Sequence, residues 1–140
     1  MRNFVTILVV AALTACGSDS PTAMFNPRDL EGDWFGQTTD STGTAAVAWL
    51  LTSDGNRVVG HALVGGADIQ CEGTIVGELN GFSLSFGMMF PPGSCPPPLD
   101  RCRIEYLGVV IVSATAIDGR YNVDDSCSAP ITNGAIVLRR

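Results

Sequence analysis

Cysteine is the residue type best placed to do chemistry in this chain. Five occur, Cys16, Cys71, Cys95, Cys102 and Cys127, and the first stands well apart from the other four. No two are spaced C-x-x-C, the arrangement that suits paired zinc ligands, so the four later thiols point to disulfides in an oxidising compartment. His61 is the single histidine. A multi-histidine metal centre is therefore excluded, and strand parity with Val59 turns His61 outward. Asp124-Asp125, near Asn122, lacks the spaced oxygen ligands and bidentate Glu of a calcium loop and is expected to be a solvated turn. Glu72, Glu78 and Glu105 alternate with apolar neighbours as outward strand charges. No two carboxylates are set apart as acid and base, and no Ser sits in a nucleophile-elbow frame. The expectation is a non-enzymatic protein with no catalytic residue, no metal and no cofactor.

A length of 140 residues is enough for one small domain and too little for two. All eight basic residues are Arg and the net charge is −6, the wrong sign for a nucleic-acid partner. The chain opens with Met1-Arg2-Asn3 and a ten-residue apolar run, Phe4 to Leu13. As a helix this run rises only about 15 Å, half of a hydrocarbon core, so it has the proportions of a signal peptide rather than of a membrane span. Residues 17–28 are polar and turn-rich with no periodicity, as expected of a flexible tether.

Leu13-Thr14-Ala15-Cys16, placed directly after the apolar run, resembles the lipobox of bacterial lipoproteins. The resemblance implies a signal peptide over 1–15, a diacylglyceryl group on the Cys16 thiol, and acylation (palmitate or a similar chain) of the new amino terminus. Two or three acyl chains hold a protein firmly on a membrane where one does not. Gly17, rather than Asp, at the second mature position is similar to the pattern that passes lipoproteins to the outer membrane of two-membraned bacteria. The expected organisation is thus leader 1–15, lipidated Cys16 with its tether to residue 28, and a folded domain over 29–140.

That domain carries period-2 alternation and no convincing helical period. The clearest stretch runs from Phe82 to Phe90, where Phe82, Leu84, Phe86, Met88 and Phe90 share a face. Asn80-Gly81 and Asp54-Gly55 supply hairpin turns. Marking strands between turn signals predicts eight: 33–39, 44–52, 57–64, 70–79, 82–90, 102–116, 118–123 and 135–139. With only one long connection these predict an all-β, eight-stranded antiparallel meander barrel, the alternative being a two-sheet β-sandwich. An aliphatic-x-Gly-x-apolar echo at Gly60, Gly77 and Gly119 suits the strong coiling of a small barrel.

Gly32-Asp33-Trp34 at the start of the first strand and Arg139-Arg140 at the end of the last are similar to the lipocalin-like (calycin) pattern. The resemblance implies that Arg140, which shares parity with Ile136 and Leu138, packs over Trp34 to anchor the barrel's closed end. Gly32-Asp33-Trp34-Phe35-Gly36, with Cys127 and Gly134-Ala135-Ile136-Val137-Leu138, also resembles small bacterial lipoproteins, and implies fold rather than activity.

In a meander of eight strands, the loops after strands three, five and seven share one rim, which gathers Cys71, Cys95, Cys102 and Cys127. Cys71–Cys95 with Cys102–Cys127 would link neighbouring loops. Cys95–Cys102 with Cys71–Cys127 is the alternative, whose second pair must reach across the mouth. The fifth loop also carries Pro91, Pro92, Pro96, Pro97 and Pro98, expected to be extended or polyproline II and suited to docking a partner. Three functions fit: a lipid-anchored binding or scaffold module acting through its surface or loops, a lipocalin-like carrier of a small apolar ligand, or an envelope enzyme not visible in sequence. The inward set Trp34, Trp49, Phe82, Phe86, Met88, Phe90 and Tyr121 would fill the interior and favours the first, while Gly60, Ala62, Gly77 and Gly119 would open space for the second.

Overall fold

The structure is a computed structural model that describes residues 25–66 and 68–140. The leader, Cys16 and the tether up to residue 24 lie outside the described residues. A short 3-10 turn, Pro27–Leu30, precedes eight strands: β1 (Gly32–Asp40), β2 (Gly43–Asp54), β3 (Arg57–Gly65), β4 (Gln70–Asn80), β5 (Ser83–Phe90), β6 (Ile104–Val112), β7 (Ala116–Asp125) and β8 (Ile131–Arg139). Each pairs antiparallel with the next, and β8 returns to β1 from Ala135 opposite Thr39 to Arg139 opposite Phe35. The sheet is a closed barrel in sequence order, not a sandwich. Closure pairs every strand on both sides and leaves no exposed sheet edge.

The pleat decides what enters the barrel. Along β4 every second residue from Cys71 to Leu79 is buried, and the residues between them are exposed. Trp34, Trp49, Phe86, Met88, Phe90 and Tyr121 are all buried inside. Trp49 lies with its ring centroid 5.0 Å from that of Phe86, and its indole Nε1 donates to Met88 Sδ at 3.1 Å. The space expected beside Gly77 and Gly119 is taken by the side chains of Leu84 and Val110, which lie closer than a Cβ there would allow. At Gly134, opposite Tyr121 in the register, a Cβ would fall 2.3 Å from the Tyr121 ring, so only glycine lets the phenol lie flat against β8.

Phe82 departs from the expected inward face. Asn80 pairs with Ser83, so the two-residue loop is Gly81-Phe82 rather than Asn80-Gly81, and Gly81 at its first position has φ 61°. A positive φ there makes the right-handed strand twist compatible with so tight a loop. The shift lifts Phe82 out of the barrel, where its ring stacks against Phe25 with centroids 5.9 Å apart.

The predicted 102–116 strand also divides. β6 stops at Val112, and the Ser113 hydroxyl accepts from the backbone N–H of Ala116 at 3.0 Å, building a turn. Strand β8 begins four residues earlier than predicted because it carries a bulge: Tyr121 faces Gly134, but Val123 faces Ile131. Asn133 sits in the bulge at φ 58°, its N–H held by Asn122 Oδ1 at 2.9 Å.

The two ends of the barrel differ. The closed end collects the 3-10 turn, the tight loops at Gly55-Asn56 and Gly81-Phe82, the 113–115 turn and Arg140. The opposite rim collects the loops after β1, β3, β5 and β7. Residues 25–28, expected as the end of the tether, pack with the closed end: Asn26 caps the 3-10 turn and Leu30 is fully buried.

Candidate functional site

The rim brings together the four cysteines and the five prolines. Cys71 at the start of β4 is bonded to Cys95 in the β5–β6 loop, with Cα atoms 4.2 Å apart. Cys102 at the other end of that loop is bonded to Cys127 in the β7–β8 loop, Cα atoms 5.6 Å apart. The neighbour-linking pairing is therefore the one formed. Backbone hydrogen bonds reinforce each bridge, from Glu72 N to Ser94 O at 2.9 Å and from Ser126 N to Arg103 O at 3.0 Å. The long loop is thus fastened on both sides.

The loop is not extended, as its prolines led one to expect. It folds into consecutive tight turns, in which Ser94 N donates to Pro91 O, Leu99 N to Pro96 O and Cys102 N to Leu99 O, each at 3.0 Å. Pro92 and Pro97 occupy the second position of the first two turns, where a proline's fixed φ already matches the turn. Gly93, at φ 91°, donates its N–H to Asp100 O at 2.6 Å and folds the loop back on itself. Pro91, Pro92, Pro97 and Pro98 are exposed, whereas Cys95 and Cys102 are buried beneath them. The result is a rigid, proline-faced knob on a covalent footing.

The same rim carries a polar group that sequence reading missed. Tyr121 OH donates to Asp40 Oδ2 at 2.7 Å, and Asp40 also accepts from Thr42 N at 2.8 Å and Thr42 Oγ1 at 2.6 Å. Partial burial pushes the Asp40 carboxyl up, but the hydrogen bonds from Thr42, Tyr121 and Gly43 outweigh it and hold its pKa below the usual carboxylate value. Burial first, and then the Asp40 carboxylate, push the Tyr121 phenol well above its ordinary range. Burial, with the charges of Asp40 and Asp125, raises Tyr106 to about 12. Both phenols therefore keep their protons at neutral pH, and Tyr121 donates its proton to a fixed partner, Asp40. The signal in the sequence was only a Tyr at an inward position near a strand end, where a buried hydroxyl needs a partner.

Asp125 lies beside the second bridge, and its carboxylate with Cys102 and Cys127 would satisfy the spacing of a metal site. The two sulfurs are bonded to each other, however, and Asp125 accepts from Cys127 N at 2.8 Å and Ser128 Oγ at 2.9 Å. The group caps a loop. His61 is exposed on the outer wall, as are Glu72 and Glu78.

At the closed end, Arg140 lies over the Trp34 ring, its guanidinium carbon 4.4 Å from the centroid, and donates to the Glu31 carbonyl. Trp34 Nε1 donates to Leu30 O at 2.8 Å. Trp34 and Arg140 are thus placed together, and at the end opposite the cysteines. Two depressions, of about 260 and 330 Å³, lie on the outer wall around Phe35, Ala48 and Leu63, the second bordered also by Asp33, His61 and Glu72. No protein-family model matches this chain, and no curated protein is similar to it.

Proposed function

We propose that this chain is a lipid-anchored bacterial envelope lipoprotein that works without catalysis, holding a protein partner or scaffold contact at its cross-linked rim. The observation that carries the reading is the opposition of the two ends. The described chain begins at Phe25 on the closed end, so an anchor at Cys16 would sit on that side, and the proline-faced knob stands at the far end of the barrel. The leader with its Leu13-Thr14-Ala15-Cys16 supports the anchor, and Gly17 supports delivery to the outer membrane where the source has two. The Arg140–Trp34 stack supports descent from a lipocalin-like barrel. The carrier reading loses its main support, because bulky side chains occupy the interior where a ligand would lie.

The test joins anchoring and rim. Full-length protein and Cys16→Ala are expressed with a clickable fatty acid, and a photo-crosslinking residue is placed at Pro97 or, at the opposite end, at Asn56. The expected result is acyl label and membrane recovery that Cys16→Ala abolishes, with adducts formed from position 97 and not from 56. Unlabelled Cys16, or adducts favouring position 56, would overturn the reading.

A further inference from the structure

The outer wall of β6 is apolar where a solvated strand would be polar. Leu107, Val109 and Ile111 stand in one line at 55%, 51% and 60% exposure, and Phe82, 47% exposed, continues the line around the closed end. Ile111 is the cross-strand partner of Ser83, and Val112 N donates to Phe82 O at 2.8 Å, so the line is unbroken. The neighbouring outward positions on β5 are Ser83, Ser85 and Gly87, too small to shield it. Some of the charges beside the stripe come with counterparts, although Glu105, the next outward position on β6, faces Asp124. Asp118, opposite Ile111, is bonded to Arg139 at 2.8 Å, Glu78, opposite Ser85, has Arg57 as its β3 partner, and Arg120 flanks Val109.

The chain that leads back to Cys16 leaves from this same corner, since Phe25 stacks on Phe82. The eight residues 17–24 can span at most about 30 Å, no more than the length of a strand of this barrel. An anchor at Cys16 therefore keeps the closed end of the stripe within about 30 Å of the bilayer, in reach of it. Resting on the lipid-anchor reading above, we propose that Phe82, Ile111, Val109 and Leu107 form a second membrane contact, by which the closed-end corner where Phe82 meets β6 dips into the interfacial layer of the lipid. The contact is peripheral, because Gln37, Thr39, Glu72, Arg120 and Asn122 interrupt any apolar belt around the wall. Arg120 and Arg139 would lie at headgroup level, their stems along the apolar surface.

The experiment uses the acylated full chain, recovered from host membranes and reconstituted in vesicles of phosphatidylethanolamine and phosphatidylglycerol carrying brominated acyl chains. Trp34 and Trp49 are buried and give a constant background. Phe82→Trp and Val109→Trp are expected to add emission that the bromines quench. Leu50→Trp, on β2 across the barrel, is expected to add emission that they do not. Equal quenching at Leu50→Trp, or none at the other two, in protein whose mass shows the acyl chains, overturns this contact and leaves the anchor standing. A dimer in sedimentation with the added emission unquenched overturns it in favour of a second copy on the stripe. A mass showing no acyl chain on Cys16 removes the anchor and this contact with it.

Discussion

Trp34→Ala tests whether the closed end is a built closure or merely the place where the strands stop. The side chain is fully buried, and emptying a core aromatic site costs about 3 to 5 kcal/mol. Two smaller effects ride on the same ring. The Leu30 carbonyl would lose its buried donor, worth about 1 to 3 kcal/mol by itself. The cation stack of Arg140, which is exposed, contributes about 0.5 to 1 kcal/mol. Trp34→Phe separates them, because it keeps most of the ring and removes the donor, and should cost about 1 to 3 kcal/mol. Arg140→Ala should matter in the parent and hardly at all beside Trp34→Ala, which a double-mutant cycle reads directly. With total stability of the order of 5 to 15 kcal/mol for such a domain, Trp34→Ala takes a large share of it, and Trp34→Phe keeps the comparison readable where Trp34→Ala unfolds. The assay is urea unfolding followed by Trp49 emission and far-ultraviolet dichroism, with amide exchange over residues 25–31 to follow the 3-10 turn. A loss below about 1 kcal/mol with unchanged exchange would refute the closure argument, since it would place the energy of the closed end elsewhere.

Replacing Cys102 and Cys127 by Ser together should cost about 3.5 kcal/mol, because the bridge closes a separation of 25 residues; mapping of non-reduced peptides should recover 71–95 and 102–127 in the parent, and chemical denaturation reads the loss. Asp40 has a folded pKa below its unfolded value, so the stability it contributes is present above the unfolded value and is lost as pH falls through the folded one. Asp40→Asn should therefore flatten that part of an acid melting profile, and an unchanged acid limb would refute the assignment. Gly134→Ala should destabilise by about 1 to 3 kcal/mol through overpacking against Tyr121, and Tyr121→Leu should relieve much of that cost in thermal melts of the double variant.

Sequence carried the barrel because alternation on eight strands is a local signal and short connections leave neighbouring strands little choice but to pair. The same topology gathered Cys71, Cys95, Cys102 and Cys127 on one rim and left two pairings, of which the structure forms the neighbour-linking one. Misreadings arose where one residue changes the phase. The Gly81 turn moved Phe82 from inside to outside, and the bulge at Asn133 put Ile131 and Gly134 three apart, hiding the first turn of β8 from a period of two. Ser113-Ala114-Thr115 contains no Gly, Pro, Asn or Asp, so the turn after β6 carried no punctuation. The Pro-rich loop was read by composition, which records stiffness but not direction. Its turns depend on two anchors brought from elsewhere in the chain. The β6 stripe is visible in the sequence as a run apolar on both faces, Leu107 through Val112, which a period of two does not distinguish from a half-buried strand.

Because β8 closes on β1 and Arg140 touches Glu31, the polypeptide enters and leaves the ring at nearly the same point. Topologically the barrel is a necklace with its clasp at the Trp34 end, and where the clasp falls is arbitrary. A linker from Arg140 back to Phe25, with new ends opened at Gly55-Asn56, would keep every strand pair and still leave both ends on the closed side. Any reporter or second domain spliced after Arg140 would start on that side too, whereas the rim is made of loops alone and accepts grafted sequence without disturbing either end. An engineer could thus change what the rim displays and how the domain is held as independent operations.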